Sequence, residues 1–185
     1  KRGGSMKISV KRGEPVGNPV LVSEVKEHLR IDHHEENEHL LRIAQAAVQQ
    51  FEHLGQVAVI KQQIEVTAIN PLYHFPLPIG PLSDIASLTV TADGVQQLNL
   101  EMAPGFSRDT IILWCLHDVP EGAVWKFQYM AGLAEDRSTV PADIKLAIMD
   151  QAALLYDGRA PFHRKDLEYS PHMVRIAARY RGVRL

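Results

Sequence analysis

A dense run of ligand-type side chains, Asp32-His33-His34-Glu35-Glu36-Asn37-Glu38-His39, is the first place where this sequence could hold a metal. Zinc hydrolases set two histidines four apart on one helix, so that both rings reach one ion, with a glutamate after the first as general base. His34 and His39 are five apart, which turns them about 140° from each other on an ideal helix. Glu35 and His39 share a face, but two ligands do not make a site. The run reads instead as acidic residues gathered at a helix N-terminus, where the helix dipole favours negative charge. Asp32, with Glu35 three residues on, has the spacing of a capping box.

Cys115 and His117 lie two apart and would share one face of a strand. A Cys–His nucleophile pair needs an orienting group and an oxyanion site, and no Gly-rich turn nearby supplies one. A lone strand cysteine reads as a small buried hydrophobe. No Gly-x-Gly-x-x-Gly, no P-loop and no Gly-x-Ser-x-Gly occurs in the chain. The expectation is a protein that is not an enzyme, with no catalytic residues, no metal and no cofactor.

The remaining chemical signal is charge. Residues 159–185 carry seven basic side chains (Arg159, Arg164, Lys165, Arg175, Arg179, Arg181, Arg184) against Asp166 and Glu168. Arg175 and Arg179 are one helical turn apart, followed by Tyr180-Arg181. Cations at a helix end suit the negative dipole there. An Arg- and Tyr-rich end also fits docking onto an acidic protein surface or a phosphate backbone.

The elements that must position these groups fall into three zones of a 185-residue chain with a formal charge of −2. That near-balance argues against a protein built around one large basic nucleic-acid face and leaves room for local basic patches. A single cysteine excludes a disulfide framework. The longest run without charged residues, 66–83, contains four prolines and cannot be a membrane-spanning helix. No apolar stretch marks the N-terminus as a secretory signal. Lys1–Ser5, ahead of Met6, are expected to be an expression-derived addition, and 1–20 a flexible segment.

Residues 21–54 predict two helices, the first capped by Ser23. The second carries Leu40, Ala44, Ala47, Val48, Phe51 and Leu54 on one face and ends at Gly55 in the C′ position. Residues 56–133 predict strands at 57–60, 64–69, 85–91, 95–100, 110–116 and 124–130, with Asp93-Gly94 as a hairpin turn. Pro141 opens a third helix whose face runs Ile144, Ala147, Ile148, Gln151, Leu155 and Tyr156. Residues 159–168 read as a polar linker, and Pro171 to Arg181 as a last short helix. The expected class is α+β, mainly a helical bundle of about four helices with a small antiparallel β insertion at about 56–133, between helix 2 and helix 3. The domains are then a single one over 21–158 and a basic C-terminal arm over 159–185.

Taken in order, these pieces resemble the head–tail connector (adaptor) proteins of tailed bacteriophages, prophages and gene transfer agents. Leu21-Val22-Ser23-Glu24-Val25-Lys26-Glu27-His28-Leu29-Arg30-Ile31-Asp32 is similar to the opening helix of that family and the acidic turn after it. Phe75-Pro76-Leu77-Pro78, Asp93-Gly94, Phe127-Gln128-Tyr129-Met130-Ala131-Gly132 and Val140-Pro141-Ala142-Asp143-Ile144-Lys145 follow in family order, with Tyr180-Arg181 near the end. The His-rich turn and the long basic tail depart from the pattern.

The resemblance implies a structural virion protein of the neck, assembled in the host cytoplasm. It would form a ring, dodecameric in the virion, between the portal protein and a tail-side neck or stopper protein. DNA would pass through the channel without specific binding, and no membrane would be involved. It also implies that Arg175, Arg179, Tyr180, Arg181 and Arg184 dock on the portal. The alternative is a small helical DNA-binding protein that uses its basic C-terminal helix.

Overall fold

The structure, a computed structural model, describes residues 5–97, 100–103, 109–157 and 168–181. Within these the chain forms four α-helices and eight strands and divides into two compact units. One unit is built from the N-terminal stretch to Pro15 and from Lys61–Leu133; the other is built from Val16–Ile60 and Ala134–Arg181. The class is α+β, as expected, but the strands are far more than a small insertion in a mainly helical protein. None of the described helices is long and apolar enough to cross a membrane.

The β unit contains a five-stranded antiparallel sheet in the order β1-β2-β8-β4-β5 and a three-stranded one in the order β3-β7-β6. The larger comprises β1 (Lys7–Arg12), β2 (Gln62–Ile69), β4 (Thr89–Ala92), β5 (Val95–Gln97) and β8 (Val124–Ala131). The smaller comprises β3 (His74–Pro76), β6 (Leu100–Met102) and β7 (Thr110–Leu113). Strand β1 falls in the stretch that reads from sequence as flexible; it is a strand because β2 offers it a six-residue register, Lys7 opposite Ile69 to Arg12 opposite Ile64.

Alternation on β2 and β8 buries one face: Ile64, Val66 and Ala68 beside Tyr129, Phe127 and Trp125. The small sheet covers this face, with Phe75 stacked on Phe127 at 4.3 Å between ring centroids and the Tyr129 hydroxyl donating to the Ile79 carbonyl at 2.9 Å. The Asp93–Gly94 turn has the positive φ angles (46° and 82°) of a tight hairpin.

Four expected strands differ. The single strand expected at 95–100 is divided, its described parts being β5 and β6 of separate sheets, with 98–99 outside the described residues. Residues 57–60 are buried, but among the described residues they form no named strand; Ile60 makes an isolated bridge to Ala134. Ile85–Ser87 is a 3-10 turn capped by Asp84, which accepts from the Ala86 N–H at 2.9 Å. Trp114–His117 is another 3-10 turn, so Cys115 and His117 do not share a strand face.

The helical unit packs α1 (Val22–Leu29), α2 (Asn37–Gly55), α3 (Ala142–Asp157) and α4 (Pro171–Tyr180). Leu21, not Ser23, precedes the first turn of α1, and its N–H donates to Glu24 at 2.6 Å. Gly55 is the last residue of α2, and Gln56 takes the left-handed position at φ 52°. The glycine serves packing instead: a Cβ there would lie 3.1 Å from Val57 Cγ2 and 3.6 Å from the Ala177 carbonyl of α4.

Candidate assembly surface

The last helix is fastened by hydrogen bonds that begin inside the helical unit. Ser170 caps α4, its Oγ accepting from the Met173 N–H at 3.0 Å. The Ser170 N–H donates to Oε1 of Gln151 at 2.6 Å, and Nε2 of Gln151 donates to Gln50 Oε1 at 2.7 Å and to the Glu168 carbonyl at 3.1 Å. Gln151 is fully buried, so its amide acts as a polar joint between α2, α3 and the segment entering α4. The signal for it was present in the sequence, as the one polar residue on the apolar stripe of α3.

From that joint α4 turns Met173, Ile176 and Ala177 into the core, all nearly fully buried. Tyr180 sets its ring edge-on to Phe51 at 6.4 Å. An independent arm, as residues 159–185 read from sequence, could be removed after Ser170 with the fold intact. The structure makes α4 a wall of the helical core, and its loss would bare apolar surface on α2 and α3. Residues 159–167 of the expected linker lie outside the described residues, as does Arg184.

The outer side of α4 carries the charge. Arg175, Arg179 and Arg181 are exposed. Arg179 Nη1 lies 3.4 Å from Asp143 Oδ2, an exposed pair worth little to stability. Tyr180 divides from the arginines, since it is half-buried. Burial raises its hydroxyl above the ordinary value and the nearby Asp143 charge adds to this, against the opposing Arg179. Further along, Asp150 of α3 is held between two imidazoles: His172 Nδ1 is 2.6 Å from Oδ2, and His28 Nε2 of α1 is 3.0 Å from Oδ1. Neither histidine stood out in the sequence, because the contact joins α1, α3 and α4 across more than a hundred residues.

The other candidate chemistry is arranged differently. Asp32 is exposed and lies outside the helix that it was expected to cap; α2 begins at Asn37, after Glu36. The Nδ1 of His34 sits 3.1 Å from Lys26 Nζ, and Glu36 instead accepts from the Tyr156 hydroxyl at 2.7 Å. Among the described residues no three His, Cys, Asp or Glu side chains gather as a metal site. Burial, with a smaller contribution from Asp118, raises the Cys115 thiol above its ordinary value, the reverse of an activated nucleophile.

Comparison with protein-family models gives no match, and comparison with curated proteins gives none. Solved structures do match. In the neck of an empty gene transfer agent (GTA) particle computed with C6 symmetry, a chain superposes with a TM-score of 0.72 at 23% identity, over 96% of this chain and 97% of that one. A chain in the virion of the native GTA particle gives 0.73 at 21% identity, over 95% and 96%. One in the neck of the native GTA particle computed with C12 symmetry gives 0.70 at 21% identity, over 96% and 97%. At these identities the likeness is one of fold, and it extends from end to end of the chains.

Proposed function

We propose that this protein is a non-enzymatic virion component of a particle neck. It would form a ring, twelvefold in the assembled particle, between the portal and the tail-side neck or stopper protein, and extend the DNA channel. The observation that carries the reading is the whole-chain likeness to neck chains of GTA particles, one computed with C12 symmetry. A net charge of −2 suits a conduit, because strong phosphate contacts would slow the passage of DNA.

The docking element proposed for the portal is the outer side of α4, with Arg175, Arg179 and Arg181 as guanidinium donors to acidic groups and Arg184 beyond them. Tyr180 contributes by holding the helix against Phe51. The test mixes the purified protein with portal rings of the same particle and images the product by negative stain. A second ring stacked on the portal is expected. Arg175→Glu with Arg179→Glu should weaken binding, mainly through slower association and a stronger salt effect. Unchanged portal affinity in that variant would move the docking surface elsewhere, and steep, salt-dependent DNA binding in place of portal binding would favour the DNA-binding alternative.

A further inference from the structure

The five-stranded sheet is wider than what covers it. One cross-strand row runs Ile8, Ala68, Trp125, Ala92, Val95 from β1 to β5. Its three inner members are buried, yet Ile8 is 42% and Val95 66% exposed. The next row runs Val10, Val66, Phe127, Val90, Gln97, and again the inner three are buried while Val10 is 39% exposed. The small sheet thus seals the middle of the apolar face, leaving an apolar margin on each outer strand.

Both margins belong to edge strands, which carry unpaired backbone groups. The Gly13 N–H donates to the Gln63 carbonyl at 2.7 Å. Strand alternation from that bond turns the N–H and C=O of Ile8 and Val10 away from β2. Strand β1 is six residues long, without proline, and each described neighbour relation in the sheet gives it only β2 as partner.

We infer that β1 of one copy adds to β5 of the next, so that the sheet continues around the ring. This rests on the ring reading above and names the contact that makes the ring. Four antiparallel steps leave β1 and β5 pointing the same way, so a copy rotated by a modest angle presents β1 parallel to its neighbour's β5. The contact is head-to-tail, the kind that closes into rings. It joins the two apolar margins, setting Ile8 and Val10 beside Val95 on one face.

Charge selects this pairing over a two-fold one. An antiparallel β1–β1 contact would crowd Lys7, Lys11 and Arg12 of both copies along one seam, with Lys7 opposite Lys11 when the strands centre on Ser9. The residues of β5, Val95, Gln96 and Gln97, carry no charge, and the turn before them carries Asp93. With rows kept in register, Lys7 meets the level of that acidic turn.

The test uses the full chain with Cys115→Ser and adds Val10→Cys, Val95→Cys or both. A short bismaleimide is applied to concentrated protein and to protein assembled on particles. The double variant is expected to give a ladder of cross-linked multimers, and each single variant none. A ladder absent from assembled rings, or dimers from Val10→Cys alone, overturns the edge pairing. A second variant, Val10→Pro, removes only an outward N–H and so spares the β1–β2 ladder. It should keep the wild-type circular dichroism while self-association falls at least about tenfold, a loss of roughly 1.4 kcal/mol. Wild-type assembly by this variant also overturns the pairing. Incorporation into particles without cross-links defeats the edge contact alone, and cross-linked ladders that never bind portal defeat the neck reading alone.

Discussion

Replacing Gln151 with leucine keeps most of the side-chain volume and removes the three hydrogen bonds by which its amide ties the segment entering α4 to α2 and α3. The wild-type amide accepts from the Ser170 N–H at 2.6 Å and donates to Gln50 and to the Glu168 carbonyl at 2.7 and 3.1 Å. Gln50 and Glu168 reach solvent and can exchange the lost bond for water. Ser170 is buried, so its N–H is left without an acceptor. The expected loss is therefore set by one buried, unsatisfied donor, about 1–3 kcal/mol. Gln151→Ala loses the same bonds and opens a cavity as well, which brings the cost to about 3–5 kcal/mol. Urea denaturation followed by circular dichroism measures both, and the thermal midpoint of the leucine variant should fall by roughly 2–12 °C. Amide hydrogen exchange should show protection in α4 falling first, because that helix loses its fastening while the sheets keep theirs. A leucine variant within about 0.5 kcal/mol of wild type, with α4 protection unchanged, would refute the view that this amide anchors the helix.

Glu52→Ala should cost about 1–3 kcal/mol in the same urea assay, since the buried Val59 N–H loses the Oε1 that accepts from it at 2.8 Å. Asp32→Ala, which its sequence spacing would set at about 1 kcal/mol as a lost cap, should instead fall within about 0.5 kcal/mol, because the residue is exposed and outside α2. Burial pushes the Glu24 carboxyl up, but the Leu21 N–H and the hydrogen bond and charge of Lys145 outweigh it and hold the group below its ordinary value of 4.5. A carboxyl lowered on folding adds stability above 4.5 that disappears as pH falls through the lowered value, so Glu24→Gln should be less stable than wild type at pH 7 and converge with it in acid, as read by urea midpoints across pH.

Much of the helical unit was legible in the sequence because helical periodicity and caps are local. The stripe from Leu40 to Phe51 gave α2, the stripe from Ile144 to Gln151 gave α3, and Ser170-Pro171 marks the start of α4. Asp93-Gly94 marked its hairpin for the same reason, since the turn's backbone angles favour those residues over most others. What tertiary structure decided was pairing. Lys7–Arg12 alternates over only a few residues with two apolar side chains, too little to bury by itself, and becomes β1 only against β2. Residues 57–60 look like a strand, yet their backbone goes to single contacts such as Ile60 with Ala134. Gly55 looks like the left-handed stop of α2, yet Gln56 takes that conformation and Gly55 ends the helix where a Cβ would crowd Val57. The candidate surface divides in the same way: the arginines of α4 were visible as composition, but the burial of Tyr180 and the meeting of His28, Asp150 and His172 were not. Local propensity acts between residues a few positions apart, whereas these contacts depend on which distant surfaces meet, and hydrophobic burial, which drives that meeting, specifies no partner until the whole core is packed.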